Sequence, residues 1–252
     1  MSQERLQRIL ENVKQTGVVS VEELVLQFEV TPQTIRKDLN TLCNQRLLTR
    51  THGGARLAFG IENMSYEARR VIAADEKQAI GRAAADLIGN NSSIFVTIGT
   101  TTEAVAQSLI DHDDLLVVTN NINVASLMRP CAQMKVIVAS GLVRSSDGGV
   151  IGEATVEFIN QFKVDYAVIG ASSIDSDGAL LDFDFREVKV AQAIIANARH
   201  VILAADSSKH DRTAPVRIGH ISQIHSFVTD KVPTPEFREL LSEYEIRTIE
   251  TG

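Results

Sequence analysis

Nine consecutive residues, Thr31-Pro32-Gln33-Thr34-Ile35-Arg36-Lys37-Asp38-Leu39, constrain this chain more than any other stretch. Thr31 is a good helix N-cap, because its hydroxyl can accept from a first-turn N–H. Pro32 suits the first helical position, where its missing N–H costs nothing. Ile35, Leu39 and Leu42 then recur at helical spacing and mark a core-facing stripe. Gln33, Thr34, Arg36 and Lys37 fall on the other side, near the helix start. Side chains of these types reach base edges and phosphates when a helix end enters a major groove. A capped amphipathic helix with a solvated basic face would read the same on these nine residues alone.

The flanks separate the two readings. Upstream, Arg5 to Gln15 carries Leu6, Ile9, Leu10 and Val13 at helical spacing, and Gly17 follows as a stop. Ser20-Val21-Glu22-Glu23 is a capping box that opens a short helix, Val21 to Phe28. Glu29-Val30 is a tight turn into Thr31, which completes a helix-turn-helix layout. Downstream, Leu47 to Arg50 reads as a strand, His52-Gly53-Gly54 as a turn, and Ala55-Arg56-Leu57 as a returning strand. That hairpin would be a wing beside the last helix.

Charge supports the same reading. Residues 1–57 hold 8 Lys/Arg and 6 Asp/Glu, a balance of +2, in a chain whose net charge is −7; residues 58–252 therefore carry −9. Arg36, Lys37, Arg46, Arg50 and Arg56 face a single acid, Asp38, between Pro32 and Arg56. A basic stripe on an acidic protein is the footprint of a nucleic-acid partner.

With 252 residues the chain is expected to form one large or two unequal domains. No apolar run has the length of a membrane span, and the N-terminus lacks a signal-peptide apolar region. Cys43 and Cys131 form neither a disulfide framework nor a metal-ligand pattern, and they read as small apolar residues of a cytoplasmic protein.

Apolar periodicity lapses over residues 58–74, which are expected to link a DNA-binding domain at 1–57 to a second domain at 75–252. Beyond Asp75, strands and helices alternate. Strands are expected at Ile94–Ile98, Leu115–Thr119, Val136–Ala139, Tyr166–Gly170, Val201–Ala205 and Phe227–Thr229. The expected helices include Glu103–Ile110, Val124–Met128, Thr155–Gln161 and Arg186–Ala198, with Ile80, Ala84, Leu87 and Ile88 marking an earlier one. Val/Ile-rich strands alternating with helices predict an α/β domain with a mostly parallel sheet, covered on both faces. Ligands of such sheets bind outside the carboxyl ends of the strands.

The residues just after the strands are therefore the candidates for a ligand site. Gly99-Thr100-Thr101-Thr102 opens a helix, and a glycine with helix N–H groups and hydroxyls suits a phosphate. It is not a Walker loop, and a well-capped strand–helix junction has the same composition. Thr119-Asn120-Asn121 enters the next helix, and Ser140-Gly141 with Arg144-Ser145-Ser146-Asp147-Gly148-Gly149 follows the third strand. Asp206-Ser207-Ser208-Lys209 follows the fifth. Each alone reads as a cap or turn, but together they suit a small, polyhydroxylated, phosphorylated ligand. Lys209 would supply a compact positive charge, and Asn121 or Asp147 a hydroxyl partner.

The pattern Arg5, Ile9, Val13, Thr31, Thr34 to Leu39 resembles the signature of the DeoR family of bacterial transcriptional regulators. The strand-end pattern Ile98 to Thr101, Thr119 to Asn121, Asp147 to Ala154 and Asp206 to Lys209 is similar to that family's effector domain. The match runs from about residue 4 to beyond 230. The chain departs from the family at Thr97, where an Asp is usual, at Ser140, where a Gly pair is usual, and near Ala191-Gln192, which lacks the common basic residue.

The resemblance implies an α+β winged helix-turn-helix head and an α/β body with the sugar-phosphate isomerase and CoA-transferase fold. It implies a homo-oligomeric repressor, dimer or tetramer, released from double-stranded operator DNA by a phosphorylated small molecule. Within the family, the closer resemblance carried by Thr31–Leu39, His52–Ala55, Gly99–Ala106 and Arg144–Ala154 implies sn-glycerol 3-phosphate, with another sugar or polyol phosphate as the alternative. No further cofactor and no metal is expected. The expected DNA-binding residues are Thr31, Gln33, Thr34, Arg36, Lys37, Arg50, His52 and Arg56. The expected effector-binding residues are Gly99, Thr100, Thr101, Thr102, Asn120, Asn121, Gly141, Arg144, Asp147 and Lys209.

An enzyme, a sugar-phosphate isomerase or a phosphatase-like hydrolase, is the rival reading; a third, a DNA-binding structural protein with no ligand, is opposed by the acidic body and the polar strand ends. Isomerisation needs a positioned acid–base pair. Ala171-Ser172-Ser173 follows the fourth strand with no carboxylate until Asp175, and Glu187 is the other acid left over. The body is therefore expected to bind without catalysing.

Overall fold

The computed structural model describes residues 2–16, 18–45, 47–51, 53–57, 66–210 and 212–252. It divides into two compact units, Met1–Ile72 and Ala73–Gly252.

In the first unit α1 (Ser2–Thr16), β1 (Val18–Ser20), α2 (Val21–Phe28) and α3 (Pro32–Asn44) lead to the strands β2 (Leu48–Thr51) and β3 (Gly54–Leu57). The capping box at α2 forms in both directions: Glu23 N donates to Ser20 Oγ at 3.1 Å, and Ser20 N to Glu23 Oε2 at 3.0 Å. Glu29 ends α2 in the left-handed conformation, at φ 51°, which turns the chain into α3. Ile9, Leu10, Val13, Leu24, Ile35, Leu39 and Leu42 close the core between the three helices. The expected wing has two strands, but the sheet has three in the order β1-β3-β2, all antiparallel. The extra strand is three residues between a helix and a capping box, too short for a periodic signal.

Residues 58–65 of the expected linker lie outside the described residues, and Tyr66–Val71 is a short helix, α4.

The second unit opens with α5 (Ala74–Ala85), β4 (Ser93–Val96), α6 (Thr100–Ser108), β5 (Leu115–Thr119), α7 (Ile122–Met128) and β6 (Met134–Val138). A hairpin of β7 (Leu142–Val143) and β8 (Val150–Ile151) precedes α8 (Glu153–Ile159) and β9 (Val164–Ile169). Then come β10 (Ser173–Ile174), β11 (Ala179–Asp182), α9 (Phe185–Ala196), β12 (Ala198–Ala204), β13 (Val216–His220) and β14 (Ser226–Thr229). The chain continues past the last strand read from sequence, with α10 (Pro235–Glu243) and β15 (Arg247–Glu250).

Seven strands form one parallel sheet in the order β15-β14-β12-β9-β4-β5-β6. Side chains alternate across it: Ile94 and Val96 pack with Ile80, Val105 and Val124 of α5, α6 and α7, while Phe95 packs with Ile159, Val188 and Phe237 of α8, α9 and α10. The order reverses between β4 and β9, and the carboxyl ends of strands at such a reversal are where ligands of parallel sheets bind. Three further strands that were not expected, β10, β11 and β13, form a small antiparallel sheet. The expected helix Arg186–Ala198 stops at Ala196, and Ala198 already pairs with Val164 in the large sheet.

Candidate nucleic-acid interface and effector site

Thr31 caps α3: its Oγ1 accepts from Thr34 N at 3.3 Å and lies 2.9 Å from Thr34 Oγ1. Gln33, Arg36 and Lys37 are exposed along the first turns, on the side opposite buried Ile35 and Leu39. Asp38 is buried instead, and Arg5 of α1 binds it through Nε at 2.6 Å and Nη2 at 3.3 Å. That hydrogen bond raises the Arg5 pKa. The one acid of the basic stripe is thereby turned into the head, which leaves the exposed start of α3 basic. Burial pushes the Cys43 thiol up and keeps it protonated, consistent with an inert thiol.

Arg50 is exposed on β2, with Nη1 donating to Gly54 O at 3.3 Å across the wing. Arg56 stands in β3 opposite Thr49 and Val18. His52 lies outside the described residues, as does Arg46. The exposed start of α3 and a neighbouring basic wing are the arrangement that reads a major groove and holds the adjoining backbone.

In the second unit the expected residues sit at the carboxyl ends of neighbouring strands. Gly99 follows β4 at φ 146°, a conformation that side chains rarely adopt, and no side chain caps the α6 start. Thr100 is half-buried and Thr101 buried in the first turn of α6. Thr102 faces inward: its Oγ1 lies 2.8 Å from both Thr97 O and Gly99 O and braces the loop from beneath. Thr97 is buried there with its hydroxyl toward Ile98 O. Gly170, after β9, comes close to Thr102 from the other side of the crevice.

Asn120 and Asn121 follow β5. Asn120 Nδ2 donates to Val150 O at 3.1 Å, and its buried Oδ1 has no hydrogen-bond partner. Asn121 caps α7, with Oδ1 accepting from Asn123 N at 2.9 Å and Nδ2 donating to Glu103 Oε1 at 3.0 Å. Gly141 follows β6, where a Cβ would lie 2.2 Å from Thr155 Oγ1; its role is close packing on α8.

Arg144 and Asp147 are bound to each other. Arg144 donates to Asp147 through Nε at 2.8 Å and Nη2 at 2.7 Å, to Asp184 at 3.1 Å and to Glu187 at 2.5 Å. Burial works against the Arg144 charge, but Asp147 and Glu187 outweigh it. Arg186, aided by Arg144, holds Asp184 down to about 2. Burial and nearby Asp182 push Glu187 up to about 7 against the pull of Arg144. This cluster joins the β7–β8 loop to the start of α9, and sequence reading missed it: Asp184 and Glu187 stand some forty residues from Arg144, and no local spacing links them. Asp175, the other leftover acid, lies in the β10–β11 turn.

Lys209 follows β12 in a 3-10 turn capped by Asp206, 3.8 Å from the Asp206 carboxylate. Both are buried. Burial pushes the Asp206 carboxyl up, but Lys209, Lys77 and Ser208 outweigh it and hold it below its ordinary value. Lys77 was not among the expected residues. Hollows of about 590 Å³ beside Val232–Ser242 and about 540 Å³ beside α9 and β13 include none of these side chains. Among the described residues, no group of three or more His, Cys, Asp or Glu is placed to hold a metal. No helix there is long and apolar enough to cross a membrane.

A helix-turn-helix with an exposed basic α3 start and a basic wing defines a DNA-binding regulator. The DeoR-like helix-turn-helix domain model matches residues 5–58, and the DeoR C terminal sensor domain model matches residues 72–231. The chain belongs to the DeoR family of transcriptional regulators. It is 47% identical over 239 residues to the glycerol-3-phosphate regulon repressor of Escherichia coli (strain K12), covering 95% of each chain. The Haemophilus influenzae repressor of the same name is 46% identical over 229 residues, 91% of this chain and 89% of that one. The E. coli repressor CsqR is 37% identical over 245 residues, 97% and 94% of the two chains. Among solved structures, ribose 5 phosphate isomerase A from Neisseria gonorrhoeae is similar over 53% of this chain and 52% of its own, at 12% identity and a TM-score of 0.40.

Proposed function

We propose that this protein represses genes of glycerol and glycerol 3-phosphate metabolism and leaves its operator when sn-glycerol 3-phosphate binds the strand ends of its second unit. The observation that carries this reading is the near full-length similarity to glycerol-3-phosphate regulon repressors, which spans the head and the sensor alike. The uncapped start of α6 supports it, because backbone N–H groups and the helix dipole there suit a phosphate.

The working form is a homo-oligomer in the cytoplasm, with paired heads on the two halves of a palindromic operator. Effector favours a state in which the heads no longer fit, which requires different affinities for the two states. The second unit senses its ligand and does not convert it. Glu187 has the near-neutral character of an acid–base group, but its carboxyl is occupied by Arg144 at 2.5 Å.

Release of labelled upstream DNA is the test, run with a panel of polyol and sugar phosphates and a check of each for turnover. Release by glycerol 3-phosphate without turnover is the expected result. Release by a different phosphate alone would reassign the effector, and turnover would restore the enzyme reading.

A further inference from the structure

Among the described residues of the second unit, five large apolar side chains stand out into solvent, and four of them gather in one region. Leu142 is 64% exposed, Phe185 62%, Val143 51% and Val138 40%. Val138 ends β6, the edge strand of the large sheet, and Leu142 and Val143 form β7 just beyond it. Phe185 joins them through one guanidinium: Arg144, next to Val143, donates to Asp184, next to Phe185, at 3.1 Å. Single exposed apolar residues are ordinary, but a contiguous apolar patch marks a contact surface.

The patch stands on a fixed support. Val150 N donates to Asn120 O at 2.7 Å, Ile122 N to Gly148 O at 3.0 Å and Asn123 Nδ2 to Asp147 O at 3.0 Å. The β7–β8 hairpin is thereby clamped to the start of α7, so covering it costs little ordering.

Charge points to what covers it. Residues 58–252 carry −9, so two such bodies repel over most of their surfaces. Residues 115–146 are the longest run of the chain without Asp or Glu, and they hold Arg129, Lys135 and Arg144. The Arg144 charge is met within the chain by Asp147, Asp184 and Glu187. An apolar face whose bordering charges are already paired is complementary to itself, as a two-fold contact between identical chains requires.

Taking the homo-oligomer as the working form, we propose that a second copy of this chain covers this face. Leu142, Val143 and Phe185 of one protomer pack against the same patch of its partner, with Val138 and the edge of β6 at the margin. Patches of this kind reach about 300–600 Å² on a monomer. That is the apolar centre of an interface that takes about 800 Å² from each partner, with a polar rim supplying the rest.

The test is sedimentation of the full chain at micromolar concentration, wild type beside Leu142→Asp/Phe185→Asp. By symmetry the double substitution sets unpaired carboxylates on both sides of the contact. The wild type should sediment as an oligomer and the variant at half its mass, with the helical circular dichroism of the wild type kept because both side chains are exposed. A wild-type oligomer whose mass the substitutions leave unchanged would overturn the proposal, assign the face to another partner and leave the homo-oligomer reading intact. A monomeric wild type would overturn that reading as well. If the variant loses its helical signal, Leu142→Ser/Phe185→Ser takes its place and is judged by the same mass.

Discussion

Arg5 of α1 and Asp38 of α3 are joined by two hydrogen bonds, Nε to Oδ2 at 2.6 Å and Nη2 to Oδ1 at 3.3 Å, with Asp38 buried in the head. The pair fixes the rotation of α3 about its own axis, since Asp38 lies one residue past Lys37 and two past Arg36. Asp38→Ala leaves a partly buried guanidinium without its carboxylate, and should cost about 1–3 kcal/mol. The expected outcome is a lower thermal midpoint of the head and weaker operator binding together. Weaker binding at unchanged stability would place Asp38 on the DNA instead.

Arg36 is exposed on the first turns of α3 and free to reach a base edge. Arg36→Ala should lower specific operator affinity by about 1–3 kcal/mol, the scale of a base-edge contact. Effector binding by calorimetry should not change. Retained operator affinity in a gel-shift titration would remove Arg36 from the interface.

The head was largely legible in the sequence, because its signals are local. Ser20 with Glu23, and Thr31 with Pro32, set two helix starts within four residues each, and the structure forms both caps. The parallel sheet was legible from its Val/Ile runs. The small sheet of β10, β11 and β13 was not, because its strands are short and β13 lies far along the chain from its partner. The same limit hid the two charged clusters. Glu187 and Lys77 look like solvated helix residues until the fold brings Arg144 to one and buries the other. Arg144 and Asp147, expected as ligand groups from their loop, are joined to each other by a salt bridge that the loop sequence does not signal.

Lys209→Met should raise the effector concentration needed for release about tenfold, the effect of removing one charged hydrogen bond to a phosphate, and leave DNA affinity unaltered. Release at the wild-type concentration would show that Lys209 serves Asp206 alone.

Glu187 stands at about 7, above the ordinary glutamate value of about 4.3. Between those values the folded chain holds a proton that the unfolded chain has lost, so Glu187 makes stability fall as pH rises through that window. Glu187→Gln should flatten this fall, so that its thermal midpoint gains on wild type between pH 5 and pH 8. A shift of about 2–4 °C for each kcal/mol is the scale to look for. Midpoints that run parallel across that range would mean that Arg144 keeps Glu187 ionised throughout.

The most direct test is the fluorescence anisotropy of the wild-type chain on labelled upstream DNA, titrated with sn-glycerol 3-phosphate and with glycerol. Glycerol 3-phosphate should release the DNA, and glycerol at the same concentrations should not, if the phosphate is read at the α6 start and Lys209 as proposed. Equal release by both, or by neither, would contradict a phosphate-reading sensor.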